Sequence, residues 1–363
     1  MKNLEATSKE LLKILSSKKI GEISDWDKLV QLAGRTGFGP YLYHIISKDA
    51  DVEKDKIPQS AYKTLENTYF YCLGKAIHHK NLLLSILDSF NKNNIDVISV
   101  KGIVLSEILY GAPELRSLPC DIDLLMKKND EKKITGILEG IGYNLVLSVY
   151  WSNLYTKKNG PFMDIHWMYC AKEEAPFDMK DPWERVRTVD IDNTKIKILS
   201  PEDMIIYLTF MTNNDCCRHL RHFYDLHLAL SKYTDILDWS YIVKKIKRYK
   251  LKGVFYLPFK YVTVMFNTKI SHEIIKKITP GFVRRKILDK ALDPRWPVET
   301  IKPDKKIKPL IEGAIISGGY FTRFIFWAVH KIWHEYSFSN KNKPISFSGF
   351  IRYCFKKAKG LVK

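Results

Sequence analysis

The spacing of hydrophobic positions changes twice along the chain and divides it into three regions. Residues 1–94 carry apolar positions at helical spacing, as in "YKTLENTYFYCLGKAIHHKNLLLSILDSF" at 62–90. Residues 95–200 contain short runs, either rich in β-branched residues or alternating, that end at Gly, Asn and Pro. Helical spacing returns from residue 201. The pattern predicts an α+β protein with an N-terminal helical region at 1–94, an α/β core at 95–200 and a helical C-terminal domain at 201–363.

The central region is predicted to alternate between strands and helices before it ends in a hairpin. Predicted helices cover 102–110 and 127–142. The predicted strands are "IDVISV" (95–100), "DIDLLM" (121–126), "YNLVLSVYW" (143–151), "SNLYTKK" (152–158) and "FMDIHWMY" (162–169), and "TVDIDNTKIKILS" (188–200) reads as the hairpin.

Composition indicates a globular protein. Hydrophobic residues make up 45% of the chain and aromatic residues 13%, which excludes a disordered protein. The first residues, "MKNLEATSKELLKILSSKK", contain no apolar core of a signal peptide, so we expect a cytoplasmic protein. Six cysteines without a CxxC pair are interpreted as reduced thiols and support neither a zinc site nor a disulfide framework.

Positive charge is concentrated in the last third of the chain. The whole chain carries a net charge of +19, and residues 241–363 contain 28 Lys and Arg against 7 Asp and Glu. This asymmetry favours an anionic partner, either nucleic acid, a membrane surface to which the protein would be peripheral, or a phosphate-rich substrate. A Lys-rich proteome would produce the same asymmetry with no such partner.

Two segments near the C-terminus are relevant to membrane binding. Charged residues interrupt the apolar run at 309–333, which therefore predicts a buried or interfacial helix and no transmembrane span. The basic, aromatic stretch at 347–363 fits an amphipathic surface helix or a solvated tail.

Two aspartates interrupt the predicted strand at 121–126. In a strand, Asp121 and Asp123 project from the same face, while Ile122 turns to the core. Two adjacent carboxylates repel each other unless a proton or a cation lies between them, and carboxylate oxygens are ligands that Mg²⁺ prefers. Asp164 lies in another strand that alternates polar and apolar residues, so it is the candidate third carboxylate of a two-metal site.

Upstream of these aspartates, the sequence predicts an anion-binding turn. Lys101-Gly102 lies between a strand and a helix, where free backbone N–H groups and the helix N-terminus attract phosphate. Gly102 permits close approach of the backbone, Lys101 adds a positive charge, and Arg116 can bind a phosphate through two parallel hydrogen bonds. Farther along, the i, i+3 spacing of His219 and His222 fits either a ligand pair or a polar helix face, and we interpret it as a polar helix face.

This ordered set resembles the nucleotidyltransferase superfamily that includes DNA polymerase beta, and more closely a large family of uncharacterised bacterial and archaeal nucleotidyltransferases. The motifs that carry the resemblance are "DWDKLVQLAGRTGFGPYLYHII" (25–46), "VKGIVLSEILYGAPELRSLPCDIDLL" (100–125), "MDIHW" (163–167) and "LSPEDMIIYL" (199–208). The resemblance extends over residues 20–235. It implies a small mixed β-sheet nucleotidyltransferase core flanked by the two helical regions.

The resemblance also implies roles for individual residues. Asp121 and Asp123 would be metal ligands, and Asp164 would be a third ligand or the base for the acceptor hydroxyl. Lys101 and Gly102 would hold the triphosphate of the substrate. The implied cofactor is Mg²⁺ or Mn²⁺.

Further positions match the family pattern or depart from it. Arg221 and Asp225 fit the pattern as substrate contacts, and His166 either orients Asp164, contacts substrate or is a simple strand residue. Ile103 replaces the hydroxyl residue that usually follows the glycine, so Lys101 or Arg116 must compensate. Family members often carry His where residues 213 and 214 are Asn.

The predicted function is Mg²⁺-dependent transfer of a nucleoside monophosphate from an NTP to a hydroxyl group. The sequence leaves the acceptor open among a small molecule, a peptide or protein, and an RNA. A catalytically silent nucleotide-binding or regulatory protein of the same fold is the alternative. A glycosyltransferase with an Asp-x-Asp site would leave Lys101, Gly102 and Asp164 unexplained.

Overall fold

The structure is a computed structural model. It describes residues 4–48, 53–116, 121–169, 177–213, 219–290 and 292–299. The helices expected at 309–333 and 347–363 lie outside these ranges. Within them, none of the helices combines the length and the apolar character that crossing a bilayer requires. Cys72 is the cysteine that falls inside the described ranges, and its thiol is buried.

The N-terminal region is helical, as predicted. It contains α1 (Ala6–Ser17), α2 (Trp26–Thr36), α3 (Gly39–Lys48) and α4 (Gln59–Lys92). The α2 helix begins where the Asp25 carboxylate accepts a hydrogen bond from the Lys28 amide at 3.0 Å, because the first amides of a helix have no partner within the helix. At its other end Gly37 adopts a left-handed conformation with φ of 82°, a common way to end a helix.

A mixed seven-stranded sheet forms the centre of the described fold. Its strands are β1 (Val97–Ser99), β2 (Asp121–Met126), β3 (Asn144–Ser148), β4 (Ser152–Thr156), β5 (Phe162–His166), β6 (Arg187–Ile191) and β7 (Thr194–Ile198). Their spatial order is β3-β4-β5-β2-β1-β7-β6. The β2 strand pairs with β5 in parallel and with β1 in antiparallel orientation. The chain thus combines a mixed sheet with helical regions on either side in sequence, which confirms the predicted α+β fold class.

Three helices accompany the strands: α5 (Gly102–Tyr110), α6 (Glu131–Gly140) and the short α7 (Lys180–Glu184). The predicted hairpin is formed by β6 and β7. Its turn residues, Asp192 and Asn193, adopt φ of 49° and 61°, and Asp and Asn tolerate this left-handed conformation better than most residues. The hairpin joins the sheet because β7 pairs with β1 in parallel.

The part of the chain after the sheet is helical as far as it is described. It contains α8 (Pro201–Asn213), α9 (Leu220–Tyr233), α10 (Trp239–Arg248), α11 (Lys252–Phe266), α12 (His272–Ile278), α13 (Phe282–Lys290) and α14 (Arg295–Val298). At the start of α8, the Ser200 hydroxyl accepts from the Asp203 amide at 3.2 Å and donates to the Asp203 carboxylate at 2.7 Å. This reciprocal cap supports the predicted helix start.

The helices before and after the sheet share one hydrophobic core. The buried Tyr224 of α9 donates its hydroxyl hydrogen to the Leu15 carbonyl at 2.9 Å, and its oxygen lies 3.1 Å from the Tyr41 hydroxyl. Its ring meets those of Phe38 and Tyr110 at centroid distances of 5.3 and 5.7 Å. One buried side chain therefore connects α1, α3, α5 and α9.

Candidate active site

The pairing of β2 with β5 places four polar side chains on one face of the sheet. Asp123 is the register partner of Asp164, and Asp121 and His166 lie two residues away on their respective strands. Because alternate residues of a strand share a face, all four side chains project from the same side. Ile122, Leu124 and Ile165 project from the other side and are buried.

The junction between β1 and α5 brings a positive charge to this face. Lys101 Nζ lies 2.9 Å from Asp123 Oδ1. Gly102 follows with φ of 66°, a left-handed conformation that costs other residues about 1–2 kcal/mol. A glycine is therefore required at this turn, and the turn directs Lys101 toward the carboxylates.

His166 lies between the two paired aspartates. Its Nε2 atom is 3.4 Å from Asp123 Oδ1 and 3.3 Å from Asp164 Oδ2. One donor atom from each of Asp123, Asp164 and His166 falls within 4.8 Å of the other two. Asp121 is not in this group of three, so its contribution to a metal site stays a prediction.

The pKa values of the carboxylates of the site are shifted in opposite directions. Burial alone would raise the pKa of Asp123, but the charges of Lys101 and His166 hold that pKa below its usual range. Burial raises the pKa of Asp121, and the charge of Asp123 raises it further. Burial also raises the pKa of Asp164, against the opposing charge of His166. The strongest negative charge of the cluster therefore resides on Asp123.

Two oxygens of the cluster have no hydrogen-bond donor among the described residues. They are Asp123 Oδ2 and Asp164 Oδ1, and both are buried. A buried carboxylate oxygen without a donor is costly, whereas a divalent cation takes such oxygens as ligands. The donor set therefore fits a hard cation such as Mg²⁺.

Arg116 is bound to Asp225 of α9. Its Nε lies 2.9 Å from Asp225 Oδ1 and its Nη2 lies 2.8 Å from Asp225 Oδ2, and both side chains are almost fully buried. Tyr110 donates to the same carboxylate at 2.7 Å, and the Ser106 hydroxyl accepts from the Arg116 amide at 3.2 Å. Two residues that we expected to contact substrate are thus brought together in an ion pair that joins the loop before β2 to α9.

This pair lies close to the carboxylate cluster. The charge of Arg116 opposes the rise in the pKa of Asp121, and the charge of Asp123 contributes to the raised pKa of Arg116. Arg221 also approaches from α9: burial lowers its pKa and the nearby Arg116 lowers it further, while Asp225 and Asp121 act in the opposite direction. The phosphate role of Arg116 and the substrate role of Arg221 stay predictions.

Two residues near the cluster were not singled out as site residues from the sequence. Tyr207 of α8 is buried, its hydroxyl has no hydrogen-bond partner in the described ranges, and burial together with the three aspartates raises its pKa. Burial lowers the pKa of His222 to about 3. His222 is half-buried, and the charges of Asp225 and Arg116 act on it. We expected this side chain on a polar helix face. Helical spacing alone does not reveal which face of α8 or α9 covers the site.

The three positions that depart from the family pattern have structural roles or lie outside the described ranges. Ile103 is buried in the first turn of α5. Asn213 donates to the carbonyls of Thr209 and Val254 at 2.7 and 2.9 Å and so connects α8 to α11. Residue 214 is not described.

Several solved structures match part of this chain at low sequence identity. ANT(2'')-Ia in complex with adenylyl-2''-tobramycin is 16% identical over 42% of this chain and 87% of its own, with a TM-score of 0.34. The lincosamide antibiotic adenylyltransferase LnuA, bound to lincomycin, is 18% identical over 41% of this chain and 94% of its own, with a TM-score of 0.33. An antigenic nucleotidyltransferase-like protein from Paracoccidioides brasiliensis is 14% identical over 54% of this chain and 95% of its own, with a TM-score of 0.34.

A search of curated proteins found no match. A family described as "Uncharacterised nucleotidyltransferase" matches residues 22–267, about two thirds of the chain. The matched segment contains Lys101, Gly102, all three aspartates of the cluster and His166. The chain therefore belongs to this nucleotidyltransferase family and is a nucleotidyltransferase.

Proposed function

We propose that the protein transfers a nucleoside monophosphate from an NTP to a hydroxyl group of its acceptor in a reaction that depends on Mg²⁺. The observation that carries the proposal is the pair of buried oxygens, Asp123 Oδ2 and Asp164 Oδ1, that have no donor in the described ranges. Their strands pair in register, so both oxygens belong to one face of the sheet. Buried carboxylate oxygens without a donor are costly, and a bound cation would offset that cost.

Each side chain of the cluster has a proposed role. Asp123 and Asp164, with Asp121 two residues earlier on the same face, would hold Mg²⁺ or Mn²⁺. When bound, the metal polarises the α-phosphate and neutralises charge on the triphosphate. Lys101 would contribute a further positive charge beside the phosphates, and the turn at Gly102 would let backbone N–H groups approach them.

The acceptor hydroxyl must lose its proton when its oxygen binds the phosphorus. Asp164, which is either a metal ligand or the base, lies on the same face of the sheet as Asp123 and would take the proton of the acceptor hydroxyl in the second case. His166, at 3.3 Å from Asp164, would orient that carboxylate. The transferred phosphorus would form a bond to the acceptor oxygen and lose its bond to pyrophosphate. The acceptor is a small molecule, a peptide or protein, or an RNA.

Nucleotide binding tests the donor substrate and the metal ligands of the proposal without knowledge of the acceptor. We would titrate ATP, CTP, GTP and UTP into the protein by calorimetry, each with Mg²⁺ and with EDTA. Binding of at least one NTP should require Mg²⁺. The variant Asp123→Asn/Asp164→Asn should lose at least about tenfold in affinity, because carboxamides ligate the cation far more weakly than carboxylates.

The matched control is Asp190→Asn/Asp235→Asn, which removes two exposed carboxylates and should bind like the wild type. Equal binding by the wild type and the Asp123→Asn/Asp164→Asn variant would refute the assigned metal ligands. Absence of binding for all four NTPs in Mg²⁺ would refute the proposed donor substrate.

A further inference from the structure

A groove lies between α10 and α12, apart from the carboxylate cluster. Its lining surface is almost entirely apolar, and four cationic side chains contribute to it mainly through their carbon atoms. It has a volume of about 680 Å³ and is lined by Trp239, Ile274, Lys244, Lys247, Arg248 and Lys277, among others. The four cationic side chains are exposed, and Trp239 is half-buried. The volume lies in the range of small-molecule sites.

The positive charge of the groove is not neutralised within the described structure. None of the four cations forms an ion pair with a described carboxylate, and no acidic residue is among the lining residues. The neighbouring Asp238 is engaged in capping α10, where its carboxylate accepts from the amides of Ser240 and Tyr241 at 2.9 and 3.0 Å. The groove thus attracts an anion from outside.

The C-terminal part of the chain adds positive and not negative charge. Residues 300–363 carry 13 Lys and Arg against 3 Asp and Glu, so their net charge has the same sign as that of the groove. Like charges repel across a contact. The charge balance therefore favours a separate, polyanionic molecule.

The apolar part of the groove specifies which kind of polyanion fits. The indole ring of Trp239 meets the ring of Phe259 edge to face, with centroids 6.3 Å apart, and this contact restrains its orientation. An aromatic ring that is held in place beside cations suits a chain of alternating phosphates and flat bases. Binding to a bilayer surface requires apolar side chains that protrude from the protein. The apolar side chains of this groove line a concavity.

We propose that the groove between α10 and α12 binds single-stranded nucleic acid, with a base stacked near Trp239 and phosphates held by Lys244, Lys247, Arg248 and Lys277. The proposal does not depend on the transfer reaction, because binding requires neither an NTP nor a metal.

The test uses fluorescence anisotropy with a labelled oligonucleotide of about 12 nucleotides, as RNA and as DNA, in EDTA and without NTP. The variant Lys244→Gln/Lys247→Gln/Lys277→Gln should bind at least about tenfold more weakly at about 50 mM salt. The slope of log affinity against log salt should fall by about 2, since each lost contact to a single strand removes about 0.7.

The control variant removes the same charge elsewhere. Lys63→Gln/Lys132→Gln/Lys133→Gln replaces three exposed lysines of α4 and α6 and should keep the affinity and the salt slope of the wild type. Trp239→Phe should retain most of the affinity and Trp239→Leu should lose about tenfold, because only the phenyl ring can stack. Melting curves of all variants would verify that they are folded.

Three results would overturn the proposal. The first is equal weakening in the groove and control variants, since it would indicate a general charge effect. The second is the absence of oligonucleotide binding by the wild type. The third is preferential binding to vesicles of phosphatidylserine and phosphatidylcholine that is lost in the groove variant, which would assign the groove to a membrane surface.

Discussion

At the scale of single residues, the site depends on opposite charges held within a few ångströms of each other. Lys101 and Asp123 are 2.9 Å apart, and both are largely buried. The Lys101 ammonium compensates the charge of the Asp123 carboxylate, which would otherwise be costly to bury. The ammonium contacts Oδ1 of this carboxylate. The other oxygen of Asp123 stays available to a cation.

Removal of this ammonium should increase the response of the protein to Mg²⁺. In EDTA, Lys101→Met should lower the free energy of unfolding by about 3–5 kcal/mol, because it leaves the charge of Asp123 uncompensated. Mg²⁺ should then stabilise the variant more than the wild type, since a divalent cation restores the missing positive charge. Thermal unfolding with and without Mg²⁺ measures both effects.

Lys132→Met is the control for this experiment, because Lys132 is exposed on α6 and should leave both melting temperatures unchanged. An identical shift with Mg²⁺ in the wild type and in Lys101→Met would contradict the prediction. It would mean that the cation does not bind where Asp123 lies.

At the scale of secondary-structure elements, local patterns predicted more than long-range pairings did. The strand at 121–126, the helix at 102–110 and the hairpin before residue 200 were predicted from apolar spacing, because burial of one face leaves a periodic trace in the sequence. The order of the strands and the partner of Arg116 depend on contacts between distant segments, and no short pattern encodes them. For the same reason Tyr207 and His222 were not recognised as neighbours of the site.

The Arg116–Asp225 pair is the strongest described connection between the loop before β2 and α9. Arg116→Met and Asp225→Leu should each lower the free energy of unfolding by about 3–5 kcal/mol, because each leaves a buried charge without its partner. The double variant should lose clearly less unfolding free energy than the two single variants lose together. Urea unfolding of the four proteins gives the coupling free energy.

An exposed pair provides the comparison. Lys92 and Asp88 on α4 form an ion pair at the surface, for which the same cycle should give a coupling below about 1 kcal/mol. Additive losses at Arg116 and Asp225 would show that the two side chains do not stabilise each other.

At the scale of the whole molecule, the helices before and after the sheet are packed together. Tyr224 joins α9 to α1 and α3 through its hydroxyl group, although the sequence suggested separate regions at 1–94 and 201–363. Those boundaries stay a prediction. The sequence did not reveal this packing. An apolar helix face indicates that the face is buried, but it does not identify the element that covers it.

His227 makes this packing sensitive to pH. Its Nδ1 lies 2.8 Å from the Thr268 hydroxyl, which itself donates to the Val262 carbonyl, so the neutral imidazole carries its proton on Nδ1. Burial, with a smaller contribution from the charge of Lys18, lowers the pKa of His227 to about 4. The folded protein therefore disfavours the protonated imidazole.

The sign of the pH dependence follows from this lowered pKa. Between about pH 6.5 and pH 4 the unfolded chain binds a proton at His227 that the folded chain does not, so the stabilisation by neutral His227 is lost as the pH falls. The loss amounts to at most about 3 kcal/mol. The difference in unfolding free energy between the wild type and His227→Gln should change by that amount between pH 7 and pH 4.

The exposed Gln31 of α2 serves as the reference, because Gln31→Ala replaces a side chain that does not titrate and should differ from the wild type by a constant amount over the same range. A constant difference for His227→Gln as well would contradict the assigned burial of the imidazole.

The parallel pairing of β2 with β5 also determines when the site can exist during synthesis. Between Asp123 and Asp164 the chain leaves the centre of the sheet, forms β3 at the edge and returns through β4. The two carboxylates become neighbours only after all of these segments have left the ribosome and found their places. A nascent chain that has β2 but not β5 holds Asp121 and Asp123 but neither Asp164 nor His166, so the candidate site is incomplete on an unfinished protein.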